Sequence, residues 1–276
     1  MFQYFLRLVK RFAVLLPGIV IAYFSIKEIF PLVDKRFPLA IAVFITYGLG
    51  AYLFVPAIIR LWRIIHPAKH LPLYCVTPDG FASDPLNVSI IGTRLQIIEA
   101  MTAAGWFTAD HHSLRNAIHE GLSAVYGWSY PTAPVSNLYL FGRKQDIAFQ
   151  IPIEGKAGQR HHVRFWAMTY DPGQPLNIRA LQRNHRREHV KDDELLWIGA
   201  ASLDVGIGYI RHNLQITHTI APDTNQERQL IVDQLKDQKL VKSVKMVKLG
   251  EPYKLINRVM RGSLHTDGQL AVIKLN

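Results

Sequence analysis

Arg160-His-His-Val-Arg-Phe-Trp-Ala-Met168 is the stretch on which the reading turns. Successive side chains of a strand point to opposite faces of a sheet. His161, Val163 and Phe165 then share one face, and His162, Arg164 and Trp166 share the other. Packing accounts for Val163 and Phe165, but not for an imidazole and a guanidinium side by side on the second face. Working outward, 86–92, 137–142, 146–153, 195–207, 214–220, 239–248 and 269–275 also carry strand-like patterns. Strands that follow one another without helices between them pair antiparallel.

Three helices interrupt the strands. The first is expected over 93–104, with Leu95, Ile98, Met101 and Thr102 on one face and Gly105 stopping it. The second runs over 113–126, capped by Ser113, with Leu114, Ala117, Ile118 and Leu122 inward. The third starts near Asp223 or Thr224, with Ile231, Val232 and Leu235 inward. The fold class is therefore α+β: a mixed, mostly antiparallel sheet covered by about three helices, occupying 86–276. The Pro- and Gly-rich stretch 67–85 reads as a linker. A basic segment, 172–194, holds Arg179, Arg183, Arg186 and Arg187 and reads as a solvated insertion or a basic lid.

The first 66 residues are of a different kind. Two apolar runs, about 12–30 and 38–59, approach the roughly 20 residues a helix needs to cross a bilayer. The second has no charged residue; the first needs Lys27 to snorkel. Ser25-Ile-Lys-Glu28 is no signal-peptidase site, so the expectation is a retained two-helix transmembrane hairpin. Arg7, Lys10, Arg11, Arg60, Arg63 and Lys69 flank it outside, against Lys27, Lys35 and Arg36 in the connecting loop. That bias places both termini in the cytoplasm and the protein in the inner (cytoplasmic) membrane.

The formal charge of +11 divides unevenly. Residues 1–70 hold nine Lys/Arg and two Asp/Glu, and the remainder holds 23 and 19, an excess of only four. Most of the excess is topogenic or faces anionic headgroups, so no nucleic-acid partner is expected. Partners are instead the lipid bilayer and an anionic lipid or a membrane protein. Cys75 is the only cysteine, which excludes a disulfide within the chain.

Standard catalytic motifs are absent: there is no P-loop, G-x-S-x-G, H-E-x-x-H or paired C-x-x-C. Gly206-Ile-Gly208 lacks the third glycine of a dinucleotide site. What remains is a concentration of polar groups on strands. Asp204 shares a face with Ile198, Ala200 and Ser202, where a carboxylate is costly to bury without a partner. If the strands are neighbours, Arg143, His162, Arg164, Asp204 and His218 converge. Arg143, Arg164 and Arg228 are the candidate anion-binding residues. His162, Asp204 and His218 are the candidate catalytic set, a histidine acting as acid or base and Asp204 orienting it. The same three are an alternative site for a divalent metal. The competing account is a structural network of buried ion pairs.

Several blocks resemble the LssY C-terminal-domain family: Asp84-Pro-x-Asn-Val88, Ala104-Gly-Trp106, Tyr130-Pro-x-Ala-Pro-Val-Ser136, Leu140-Phe-Gly-Arg-x-Gln-Asp146, Arg160-His-His-Val-Arg-x-Trp166, Trp197-x-Gly-Ala-Ala-x-x-Asp204, Thr217-His218 and Asp223-x-x-x-Glu-Arg228. Arg143, Asp146, His162, Arg164, Asp204, His218 and Glu227 all lie inside them. The resemblance supplies no reaction. It implies a domain named for a secretion locus and fused in relatives to lipid-phosphatase-type or other multi-spanning modules. That context points to lipid phosphates or the cell envelope. Here no phosphatase motif precedes the domain, so any hydrolysis has to come from the domain itself.

Overall fold

A computed structural model describes residues 20, 23–65, 72–78, 80–126, 128, 130–153, 159–169, 195–209, 216–256 and 263–276. The chain divides into two compact units.

In the first unit, a π-type turn Ser25–Ile29 leads into α1 (Phe30–Asp34). After a short turn, α2 (Leu39–Gly48) continues through a second π-type turn, Leu49–Phe54, into α3 (Val55–Ile65). Each wide turn lies just before a proline, Pro31 or Pro56. Proline offers no N–H and its ring crowds the carbonyl four residues back, so the preceding turn widens. Leu39–Ile59, 21 residues, is long and apolar enough to cross a bilayer. At 1.5 Å per residue it spans ~31 Å, about the thickness of a hydrocarbon core. Most of the expected first span, 12–30, lies outside the described residues, so one candidate span stands here rather than two.

The second unit is built on an eight-stranded sheet in the order β11-β14-β3-β9-β8-β7-β4, with β10 also paired to β9. The strands are β3 (Val88–Gly92), β4 (Phe107–Thr108), β7 (Ile147–Pro152), β8 (Arg160–Thr169), β9 (Leu195–Tyr209), β10 (Ile216–Ile220), β11 (Val241–Lys248) and β14 (Gln269–Leu275). Every pairing is antiparallel except β14 with β3. β9 is long enough to pair with β3 through its first five residues and with β10 through its last six, while β8 runs along its other side.

The sheet is apolar on both faces, with alternate residues going to each. Val88, Ile90, Phe149, Val163, Phe165, Trp197, Ala271 and Ile273 face α4 (Arg94–Ala103) and α6 (Asn225–Asp237), which contribute Ile97, Ala100, Met101, Ile231, Val232 and Leu235. Ile91, Trp166, Met168, Leu196, Ile198, Ala200, Leu270 and Val272 face the other way, onto Cys75, Leu86, Leu138 and Leu140. Cys75 and Leu140 belong to a four-stranded sheet, β1 (Tyr74–Val76), β2 (Ala82–Pro85), β5 (Tyr139–Leu140) and β6 (Arg143–Lys144), in the order β2-β1-β5-β6. The expected linker 67–85 therefore contains two strands of the domain. Similarly, 137–142 is not one strand. Phe141 and Gly142 take positive φ (53° and 79°) and turn β5 into β6, the two-residue hairpin geometry that matches strand twist. A two-stranded ribbon, β12 (Tyr253–Ile256) with β13 (Ser263–Thr266), completes the unit.

Local chemistry fixes the joints. Thr93 and Gln96 cap α4 reciprocally, hydroxyl to backbone and amide to backbone. Gly105 ends it at φ 88°. The Nε1–H of Trp106, 1% exposed, donates to Gln234 on α6 at 2.8 Å. Asn87 joins three elements: its amide donates to the carbonyls of Ala201 and Thr224, and its Oδ1 accepts from the Ala201 N–H, each at 2.9 Å. Gly199 is required where β3, β8 and β9 meet, because a Cβ there would lie 2.6 Å from the Phe165 ring.

Two helix faces differ from expectation. In α4 the buried residues are Ile97, Ala100 and Met101, while Leu95 is 64% exposed. Apolar residues at 95, 97, 98, 100 and 101 offer two stripes of helical spacing, so spacing alone leaves the facing open. In α5 (Leu114–Tyr126), capped by the Ser113 hydroxyl, Ile118 and Leu122 point outward rather than inward. The basic segment 172–194 lies outside the described residues.

Candidate functional site

Polar side chains from three elements meet on the sheet face that carries Trp166. β8 supplies Arg160, His162 and Arg164; β9 supplies Ser202 and Asp204; β2 supplies Asp84. Register brings them together, with Arg160 opposite Asp204, His162 opposite Ser202 and Arg164 opposite Ala200. All six are 8% exposed or less.

The charges alternate along a chain of contacts. Arg164 donates from NH1 to Asp84 Oδ2 at 2.8 Å and from Nε to the Ser136 carbonyl at 3.0 Å. His162 Nε2 lies 3.3 Å from the same Asp84 oxygen. Its Nδ1 lies 3.3 Å from Asp204 Oδ2, within ion-pair range but off the line of a hydrogen bond. Arg160 donates from Nε to Asp204 Oδ2 at 3.1 Å and from NH1 to Gln150 Oε1 at 2.9 Å. Gln150, on β7 opposite His162, holds the 130–136 loop by donating to the carbonyls of Pro131 and Ala133. His218, on β10, ends the chain with Nδ1 3.7 Å from Asp204 Oδ2. Its side chain is 28% exposed against 3% for Asp204.

β10 reaches Asp204 because β9 bends. Gly206 takes φ 155°, and the β9–β10 register slips between Thr219 and Ile220. A bulge re-aims the residues beside it. Here Ile220 pairs with Asp204 while His218 pairs with Ile207.

Burial and charge set the protonation states. Burial raises the Asp204 carboxyl, but His162, His218 and Arg160 outweigh it and hold Asp204 well below the usual carboxylate range. Asp84 is likewise lowered, its desolvation outweighed by Arg164 and His162. For His162, burial disfavours the cation and Arg164 adds to that, yet Asp204 and Asp84 raise it above the ordinary histidine value. For His218, burial is the largest influence and lowers it, only partly offset by Asp204. The cluster thus pairs a buried, protonation-prone histidine with a partly exposed histidine that is neutral at neutral pH.

The structure brings together His162, Arg164, Asp204 and His218 of the expected residues. Arg143 and Arg228 are engaged elsewhere. Arg143 pairs with Asp146 at 3.0 Å and donates to the Ala167 carbonyl. Arg228 forks onto both oxygens of Asp267 at 2.8 Å each. Among the described residues no group of three or more His, Cys, Asp or Glu is placed to hold a metal ion. His162, His218 and Asp204 therefore do not adopt that arrangement here: Arg160 already occupies the Asp204 oxygen the histidines face, and His162 turns Nε2 to Asp84. Asp84, Arg160 and Gln150 were missed as partners. Asp84 lay in the supposed linker, and its only signal was the Asp84-Pro-x-Asn block. On the opposite face His161 Nδ1 lies 2.9 Å from Glu227 Oε2, tying β8 to α6.

A family model described as LssY C-terminus matches residues 68–270. The chain belongs to this family. The match covers β1 to the start of β14, and so every residue of the polar cluster in the LssY C-terminal domain. No curated protein and no solved structure matches the chain.

Proposed function

We propose that this is a two-pass protein of the cytoplasmic membrane, both termini cytoplasmic, whose LssY C-terminal domain binds and hydrolyses a phosphorylated or similarly anionic, lipid-linked group. The observation that carries the reading is His218. It is the partly exposed member of the polar cluster, and its imidazole stands beside a carboxylate that stays charged. With His162 protonated, two arginines, two carboxylates and one imidazolium leave one net positive charge behind His218. That balance favours an anion, and a neutral His218 is free to accept a proton.

The corresponding step is simple. His218 takes a proton from water, the water oxygen bonds to phosphorus, and the ester P–O bond breaks. The imidazolium then returns its proton to the leaving oxygen. The test uses the full chain in phospholipid nanodiscs with phosphatidic acid and an aryl phosphate as probes. Phosphate release that falls about 100-fold in His218→Gln supports the reading. Parent protein that neither releases phosphate nor binds either probe overturns it.

A second reading has its own observation. Arg160 and Arg164 each donate to a carboxylate and a carbonyl, and Arg160 to Gln150 as well, which suits a structural core for a non-catalytic interaction or lipid-binding module. In that case parent and His218→Gln are equally inactive and bind lipid equally.

A further inference from the structure

α5 carries an exposed apolar stripe. Ile118 is 56% exposed, Leu122 43%, Tyr126 63%, and Trp128 just beyond the helix 58%. Ile118, Leu122 and Tyr126 are spaced at four-residue intervals and form one stripe. The Tyr126 and Trp128 rings stack with centroids 5.1 Å apart, so the end of the stripe is a single aromatic plate. Arg115 and His119 are exposed beside it, while Ser123 faces inward at 7%. An exposed stripe of this kind, ending in Tyr and Trp with the Arg115 guanidinium beside it, has the chemistry of a helix lying in a membrane interface.

We infer that α5 and Trp128 dock on the surface of an anionic bilayer. The same chain supplies the reason for that occupant. Leu39–Ile59 is apolar and long enough to cross a membrane, and its helix runs on to Ile65. The first strand of the domain begins at Tyr74. Only eight residues separate them in sequence, so a domain carried by a spanning helix is tethered close to the bilayer that the helix crosses. Charge agrees: residues 1–70 carry nine Lys/Arg against two Asp/Glu, an excess that suits a membrane with anionic headgroups. The inference depends on membrane attachment and not on the chemistry of His218.

The test reads Trp128 directly. The full chain carrying Trp62→Phe is placed in nanodiscs of phosphatidylethanolamine and phosphatidylglycerol with brominated acyl chains. Trp106, Trp166 and Trp197 are at most 2% exposed and supply a constant background. Trp128 emission is expected to be blue-shifted and quenched, with quenching reduced about twofold or more in Ile118→Asp/Leu122→Asp and in the milder Tyr126→Ser. Near-UV circular dichroism of the buried tryptophans checks that each variant is folded. Unquenched Trp128, or quenching that neither variant changes, overturns the inference. So does cross-linking of two chains through Leu122→Cys with Trp128 unquenched, which would make the stripe a contact between copies. Phosphate release is not part of this readout, so its failure and the failure of the proposed activity are separable.

Discussion

Replacing Asp204 by Asn removes one charge from the centre of the cluster while keeping its volume. Asp204 is 2% exposed, and its Oδ2 lies 3.1 Å from Arg160 Nε, 3.3 Å from His162 Nδ1 and 3.7 Å from His218 Nδ1. The variant leaves the Arg160 guanidinium, 8% exposed, without its carboxylate. Removing one partner of a buried ion pair costs about 3–5 kcal/mol, mostly the penalty of the stranded charge. For a domain of this size each kcal/mol lowers Tm by about 2–4 °C, so a fall of about 6–20 °C is expected. The assay is thermal unfolding in nanodiscs at pH 7, followed by the near-UV signal of the buried Trp166 and Trp197. Arg160→Met combined with Asp204→Leu removes both charges and should recover a large part of the loss. A change below about 0.5 kcal/mol in Asp204→Asn, the range of an ordinary surface substitution, would refute the picture of a tightly coupled buried network.

Other consequences are equally direct. Gly199→Ala forces a Cβ to within 2.6 Å of Phe165 and 3.0 Å of Val88, so it should cost about 1–3 kcal/mol in denaturant unfolding. Asn87→Ala strips partners from the carbonyls of Ala201 and Thr224 and the N–H of Ala201; a loss of about 2 kcal/mol or more is expected, and wild-type stability would contradict the bridging role. The pH dependence has two limbs. Asp84 and Asp204 have lowered folded-state pKa values, so their contribution is present above about pH 4 and is lost as pH falls. His162 is raised, so its contribution is full below about pH 6.5 and is lost as pH rises through its folded value. His218 is lowered and works against His162 below about pH 6.5. His162→Gln should therefore flatten the decline of Tm on the alkaline side, and an unchanged profile would argue that His162 is neutral throughout.

The core strands were legible because their alternation is regular. Arg160, His162 and Arg164 share one side of their strand, as Ser202 and Asp204 do of theirs, and the β8–β9 register puts them face to face. Alternation within single strands does not say which strands are neighbours, so it included Arg143 and omitted Asp84. Asp84 sits among prolines and glycines in a segment with no periodicity, yet it is 1% exposed and neutralises Arg164. The facing of α4 and α5 is ambiguous in the sequence for another reason: each helix has apolar residues on more than one side. In α5 the surplus is the exposed stripe from Ile118 to Trp128.

The central claim is that His162 and His218 share Asp204 but are shifted in opposite directions from the ordinary histidine value, with His218 the proposed contact for an anionic ligand. Histidine-selective 15N NMR of the nanodisc-embedded chain, titrated with pH and then with phosphatidic acid, measures this most directly. The account predicts that His162 titrates above about pH 6.5 and His218 below it, and that the lipid shifts the His218 resonances. Two histidines that titrate together near the ordinary value, or a His218 signal indifferent to the phosphorylated lipid, would contradict it.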